Sequence, residues 1–269
     1  MARPTGKRAA NRIARTRTYL DCALGIVTSE GFDALTMQRI ADDCDAAIGA
    51  IYRYFPSKGA LVAEVQREAI DRLAASYLII RERSDRRFAK LGLDEREAAL
   101  ARVVTFGRFF CATSDTFPQE LRLLQMLMSE WRQVVPDEEG LRLVPTAMRF
   151  VGQAHDVIAT ATDLGVVDEG DALDRAVTWA AAVGGVLQIS RLDHFDADLF
   201  DGERLARRLN LDLIVGWGAD RSKVDRADAL VSDLGARGPL APPLPASSGT
   251  GPQKPENNSR RPTTRDEVE

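Results

Sequence analysis

The residues with the clearest chemistry are cationic and lie at the N-terminus. Arg3, Lys7, Arg8, Arg12, Arg15 and Arg17 fall within the first 20 positions, which hold no acid. A run of this kind attracts a polyanion. Residues 1–58 carry nine basic and six acidic groups and residues 220–269 carry eight of each, so 59–219 hold the acidic excess behind the net charge of −4. The expected partner therefore meets only the first part of the chain. Other chemistries lack their residues. There is no GxSxG, HExxH or P-loop, and His155 and His194 sit in no nucleophile arrangement. Cys22, Cys44 and Cys111 are too far apart in sequence for a disulfide framework or a CxxC metal knuckle. Asp42, Asp43 and Asp45 read as a solvated helix face. The chain is not expected to be an enzyme or to hold a cofactor or metal.

The elements that must position these residues are helices. Apolar residues recur at helical spacing, and no alternating strand pattern is evident. The fold class is all-α: an N-terminal three-helix helix-turn-helix domain followed by a C-terminal helical domain. Residues 11–30 form one helix stopped by Gly31, and a short helix runs from Thr36, its cap, to Cys44. After a tight connection at Asp45-Ala46 a second short helix spans 47–53, ended by Pro56. Ser57 then caps a long helix with Leu61, Val65, Ala69, Leu73, Tyr77 and Ile80 on its apolar side. The two short helices have the spacing of a helix-turn-helix, whose second helix lies in the DNA major groove. Ile40, Ala41, Ile51 and Phe55 suit its interior, while Arg53 and Tyr54 can face outward.

Residues 36–61, TMQRIADDCDAAIGAIYRYFPSKGAL, with the preceding Glu30-Gly31-Phe32-Asp33-Ala34-Leu35, resemble the DNA-binding signature of the tetracycline-repressor (TetR) family. The resemblance covers about 11–61. It implies that Thr36 and Gln38 contact phosphates or base edges, and that Ala47, Ile48, Gly49, Ala50, Arg53 and Tyr54 lie on the recognition helix. Tyr52 matches the family's phosphate-contacting tyrosine. Lys58 matches the lysine at the start of the next helix, where the helix N-terminus also attracts phosphate. The family's Gly-Val-Ser turn is replaced by Asp45-Ala46-Ala47. Asp tolerates the left-handed backbone that Gly supplies, but Ala47 has no hydroxyl to cap the recognition helix. With Ala47, Ile48, Gly49 and Ala50 carrying almost no hydrogen-bonding groups, readout falls to thymine methyls, to Arg53 on guanine and to the basic arm. Ile48 also shares helical spacing with Ile51 and Phe55, so packing in the core is the competing reading of that residue.

The body continues in helices: Asp94 and Glu97 as a capping box, Pro118 opening a helix, Pro145 opening another that ends at Gly165, a helix apolar nearly all round from 171 to 192, and a last helix at 203–217. The resemblance implies that this body dimerises through its last two helices, with Ala181, Gly184, Gly185, Leu205, Leu209, Leu213 and Trp217 in the interface. It also implies a ligand cavity. The candidates to line it are Phe106, Phe109, Phe110, Leu124, Met128, Trp131, Phe150, His155 and Trp179, which suit a small hydrophobic or amphipathic effector. His155 is then either a core residue or a polar anchor.

Length predicts about two domains for 269 residues. They are read as a basic disordered arm (1–10), the helix-turn-helix domain (11–60), the regulatory domain (61–219) and a disordered tail (220–269). The tail reading rests on composition: no aromatic residue follows Trp217, and seven of the 12 prolines lie in 239–269. The longest charge-free apolar stretch, Ala176–Ser190, is 15 residues, short of a membrane span, and the first residues lack a signal-peptide core, so a cytoplasmic protein is expected. The expected function is a ligand-responsive, dimeric DNA-binding regulator, most simply a repressor on a palindromic operator, with double-stranded DNA, the effector and a second copy as partners. The alternative is a helical small-molecule or protein-interaction module whose helix-turn-helix no longer binds DNA.

Overall fold

Polar residues at helix starts account for where the chain breaks. Thr36, Ser57, Asp94, Asp171, Asp201 and Asp220 each accept a hydrogen bond from a backbone N–H in the first turn that follows. Each bond satisfies a donor that the helix leaves without a partner. At Asp94 the Glu97 side chain returns the bond, completing the capping box. Helix ends at Gly31 and Gly165 take positive φ, 89° and 61°.

The computed structural model describes residues 5–31, 34–129 and 137–244. Its elements are α1 (Thr5–Glu30), α2 (Met37–Asp43), α3 (Ile48–Tyr52), α4 (Lys58–Leu91), α5 (Glu95–Thr116), α6 (Pro118–Ser129), α7 (Asp137–Asp163), α8 (Ala172–Ile189), a short 3-10 turn (Ser190–Leu192), α9 (Gly202–Gly216) and α10 (Arg221–Ala236). No strand occurs among the described residues.

Two apolar cores result. The first gathers Tyr19, Ala23, Ile26 and Val27 of α1, Ile40 of α2, Ile51 of α3 and the start of α4 from Leu61 to Ala69. It also takes in Leu123 of α6 and Leu143 of α7, so the body reaches into the N-terminal module. The second core begins at Ile70 and runs through the rest of α4, α5, and α7 to α10. Its centre is aromatic. Tyr77 meets Phe106 edge-on with centroids 4.6 Å apart, Phe106 lies 5.1 Å from Trp179, and Phe110 lies 5.3 Å from Trp179.

Several expectations are corrected. Residues 5–10 of the arm are not irregular but continue α1 toward the N-terminus. Pro145 lies inside α7 instead of opening it. Its ring nitrogen cannot donate to the Leu141 carbonyl, and Leu141 is on an exposed side of the helix where water can take that bond. The 171–192 helix is buried on one face only. Ala176, Trp179, Val183 and Leu187 point inward, whereas Leu173 and Val177 remain exposed.

The largest correction is at the C-terminus, where residues 221–244 belong to the folded body. Val224, Ala227, Val231 and Leu234 recur at helical spacing and are buried in the second core, with α10 packed against α5, α9 and α4. Asp228 is buried among them and accepts from Arg108 of α5 (2.8 Å) and from Arg207 of α9. The chain then crosses α4. There Arg83 donates to the Gly238 and Pro239 carbonyls (3.0 and 2.9 Å), the Ser76 hydroxyl donates to the Pro242 carbonyl (2.7 Å), and Leu240 and Ala241 are buried. The domain boundary placed at 219 therefore falls before the last core helix. The stretch lacks aromatics, but four small or branched residues in register suffice when a preformed groove receives them.

Replacing Asp228 with Ala leaves Arg108 without its carboxylate and is expected to cost about 3 kcal/mol. The exposed Asp225→Ala is expected to cost less than about 0.5 kcal/mol. Urea unfolding of the full chain measures both.

Candidate nucleic-acid interface

The turn between α2 and α3 is closed by backbone bonds from Asp45 N–H to Asp42 O (3.2 Å) and from Ala46 N–H to Ala41 O (2.8 Å). Asp45 takes φ +47°, the left-handed conformation expected of it. Ala47 occupies the cap position of α3 and makes no side-chain cap bond.

The orientation of α3 follows from its two buried residues. Ile51 and Phe55 are sealed in the first core, which turns the opposite side outward. Ala47 and Gly49 are exposed, Ile48 is 39% exposed and Tyr52 48% exposed, and Ala50 is half-buried. Ile48 is thus a surface residue and not a core one. Arg53, the C-cap residue, is exposed as well. Tyr54 does not face outward with it. It is half-buried and packed on the first core, its ring edge-on to Tyr19 at 5.3 Å with the Arg12 guanidinium 5.7 Å above it. Two aromatic rings and a cation outweigh exposure of a single hydroxyl.

On α2, Thr36 uses its hydroxyl to cap the Arg39 N–H (3.0 Å), and Gln38 is exposed and donates to Asp42 (2.7 Å). Lys58 is the first residue of α4, half-buried beside the Ser57 cap. Arg39, which the sequence reading passed over, is held by Glu30 and Asp43 at 2.9 and 3.0 Å. The Asp43 hydrogen bond and charge, with Glu30, raise its pKa further, so it stays cationic but already paired.

Three cations of this module contrast with Arg39. Among the described residues Arg12, Arg15 and Arg53 form no ion pair, and with Asn11 and Tyr54 they line a shallow groove of about 340 Å³ with no carboxylate in its wall. Arg17, by contrast, reaches Glu68 of α4 at 3.4 Å. Packing of α1 on Tyr54, through Tyr19 and Arg12, is what brings Arg12 and Arg15 beside the end of α3. Sequence spacing alone did not show that neighbourhood.

The same packing brings Cys22 of α1 and Cys44 of α2 together. Their thiols hydrogen-bond but remain free, and burial pushes Cys22 up to about 12 and raises Cys44. Burial favours the protonated form of both.

The remaining predicted site residues separate into three groups. Phe106, Phe109, Phe110, Phe150 and Trp179 come together, ring against ring, with Leu124 packed on their cluster. His155 does not join them. It is 43% exposed beside Asp156, because Ala154 and Ile158 take the inward positions of that turn. Trp131 and the side chain of Met128 lie outside the described residues. Of the dimer candidates, Ala181 and Gly185 face outward and Leu205, Leu209 and Leu213 are half-buried. Gly184 turns into the chain's own core with Val183, and Trp217 is half-buried with the Arg175 guanidinium 5.6 Å from its ring. Leu173 and Val177, two turns and one turn before Ala181, complete the outward stripe; their i, i+4 spacing was available in the sequence.

Residues 20–65 match the family model of bacterial regulatory proteins, tetR family. The HTH-type transcriptional repressor KstR of Mycolicibacterium smegmatis is 36% identical over 61 residues, 23% of this chain and 30% of that repressor's length. The chain thus matches under a third of this relative. Among solved structures, RolR in complex with resorcinol gives a TM-score of 0.53 at 15% identity, covering 83% of this chain and 96% of that one. A candidate transcriptional regulator from Saccharomonospora viridis in complex with choline gives 0.52 at 20% identity, covering 74% and 95%. These likenesses extend the shared fold from the N-terminal module to the helical body.

Ala47→Ser is expected to restore the missing cap and stabilise the chain by about 0.5–1 kcal/mol, read as a raised thermal midpoint. An unchanged midpoint would show that α3 is held by tertiary packing alone.

Proposed function

We propose, from the match of residues 20–65 to the tetR family of bacterial regulatory proteins, that the chain is a TetR-family, ligand-responsive, DNA-binding transcriptional regulator. In this reading it is a repressor that holds a palindromic operator as a homodimer and is released by a small hydrophobic or amphipathic effector. KstR is named a repressor, and its match lies within the DNA-binding module. The catalytic alternative has no support in these relatives, which are regulators and not enzymes.

One observation carries the DNA-binding reading. The exposed face of α3, with Ile48, Gly49 and Tyr52, lies next to a carboxylate-free groove edged by Arg12, Arg15 and Arg53. The apolar part can meet thymine methyls in the major groove, and the guanidinium groups can take guanine or phosphate. Tyr52 and Lys58 flank this face and would hold the backbone. Two copies must present their α3 helices about 34 Å apart to enter successive major grooves. The stripe Leu173, Val177, Ala181 and Gly185, with half-buried Leu205 and Leu209, offers the surface for that pairing.

The effector reading rests on the aromatic cluster of the second core. RolR in complex with resorcinol and the Saccharomonospora viridis protein in complex with choline share this fold. Here Phe106, Phe110, Phe150 and Trp179 would part around an apolar guest. Any movement of α5 or α7 reaches the DNA module by short routes. Leu123 and Leu143 sit in the first core, Glu120 is almost wholly buried and pairs with Arg72 of α4 at 3.1 Å, and Arg149 of α7 reaches Asp71 of α4 at 2.9 Å. An effector that prefers the misaligned dimer by 100-fold supplies about 2.7 kcal/mol of coupling.

Mobility shift against DNA flanking the chain's own gene tests the proposal; absence of any salt-sensitive complex would favour the interaction-module alternative. Lys58→Ala is expected to weaken binding to all sequences alike and lower the salt slope by about one, whereas Arg53→Ala is expected to change sequence preference.

A further inference from the structure

A second cavity, of about 440 Å³, opens between the turn joining α4 to α5, the turn after α7 and the first half of α10. That volume is within the range of small-molecule sites. It shares no residue with the aromatic cluster or with the DNA-binding face. Its floor is apolar, formed by Leu93, Leu100, Val166 and Leu230, and its rim carries Arg96, Lys223 and Arg226 with Asp94, Glu97 and Asp220.

The two signs of charge on this rim are not equivalent. The carboxylates are already engaged by the backbone. Asp94 accepts from the Glu97 N–H (2.8 Å) and Glu97 from the Asp94 N–H (3.2 Å). Asp220 accepts from the Ser222 hydroxyl (2.5 Å) and from the Lys223 N–H (3.0 Å), bonds that hold it below the usual carboxylate range. Arg96 is likewise engaged, donating to the Gly165 carbonyl at 2.6 Å. Lys223 and Arg226 are exposed and one turn apart on α10, and among the described residues neither side chain forms an ion pair. Lys223 and Arg226 therefore bring donor groups not committed to an ion pair, three N–H groups on the lysine and up to five on the arginine.

We propose that this cleft binds a small organic acid, its carboxylate held by Arg226 and Lys223 and an aryl or short branched body laid on Leu93, Leu100, Val166 and Leu230. A neutral molecule would leave the two cations without their counter-charge. A cation would be repelled by Lys223 and Arg226, and the carboxylates it met already interact with the positive ends of α5 and α10. Because α10 supplies both cations and Leu230, occupation would fasten that helix to the α4–α5 turn and raise the stability of the body by mass action. The inference stands independently of the DNA-binding reading.

Isothermal titration of the full chain with phenylacetate and its uncharged analogue phenylacetamide tests it. Phenylacetate is expected to bind at one site, and phenylacetamide at least about tenfold more weakly. Arg226→Ala and Lys223→Ala are each expected to weaken phenylacetate about tenfold, and Arg226→Glu to abolish the heat, with thermal midpoints of the unliganded variants equal to the parent's. Equal affinity for acid and amide, undiminished binding by Arg226→Glu, or no heat up to about 10 mM phenylacetate would each overturn the proposal.

Discussion

The structure depends on one helix being shared by two cores. α4 is 34 residues long, about 50 Å at 1.5 Å per residue. Leu61 to Ala69 are buried with α1, α2 and α3, while Ile70 to Phe88 are buried with the body. There is no linker at the boundary, only the step from one buried residue to the next. A rigid rod sealed at both ends cannot rotate in one module without straining the other. Leu123 and Leu143 reinforce the constraint by packing into the N-terminal core from the body side. Any signal passing between the modules must therefore pass as a displacement of packed side chains around α4.

Electrostatics then decides which surface can meet a partner. Charged residues make up 28% of the chain, and much of that charge is consumed locally. Arg39, Arg67, Arg72 and Arg149 are each tied to a carboxylate. Apart from Arg72 with the buried Glu120, these are partly exposed pairs that add little stability, but they remove charge from the surface. Arg12, Arg15 and Arg53 stand out against that background because they sit together with no acid in the wall of their groove.

The body shows the complementary case, in which polar groups serve packing. The Trp179 indole donates to the buried Asn210 amide at 2.8 Å. The Asn210 amide lies so close to the backbone of Gly107 that a Cβ there would fall 2.1 Å from its oxygen. α5, α8 and α9 can approach at this level only because position 107 is a glycine. Asp228 plays the corresponding part for α10, joining it to α5 and α9 through two arginines.

Much of the fold was legible in the residues themselves. Thr36, Ser57, Asp94 and Pro118 mark helix starts because capping and proline geometry act over three or four residues, and the spacing of two short helices, with the resemblance carried by Ile40, Ala41, Ile51, Tyr52, Pro56 and Lys58, marks the helix-turn-helix. The inward face of α3 and the capless Ala47 were legible too, since helical spacing sets the first and a missing hydroxyl the second. What required the tertiary structure was everything that depends on distant neighbours. Tyr54 turned inward because Tyr19 and Arg12 offered it a better surroundings than water. His155 turned outward because its neighbours filled the core. Residues 221–244 fold because a groove on α4, α5 and α9 accepts them, and a composition read along the chain contains no information about that groove. Local sequence determines where helices begin and which side is apolar; which apolar side finds a partner, and which charge is left without one, is settled only when the helices meet.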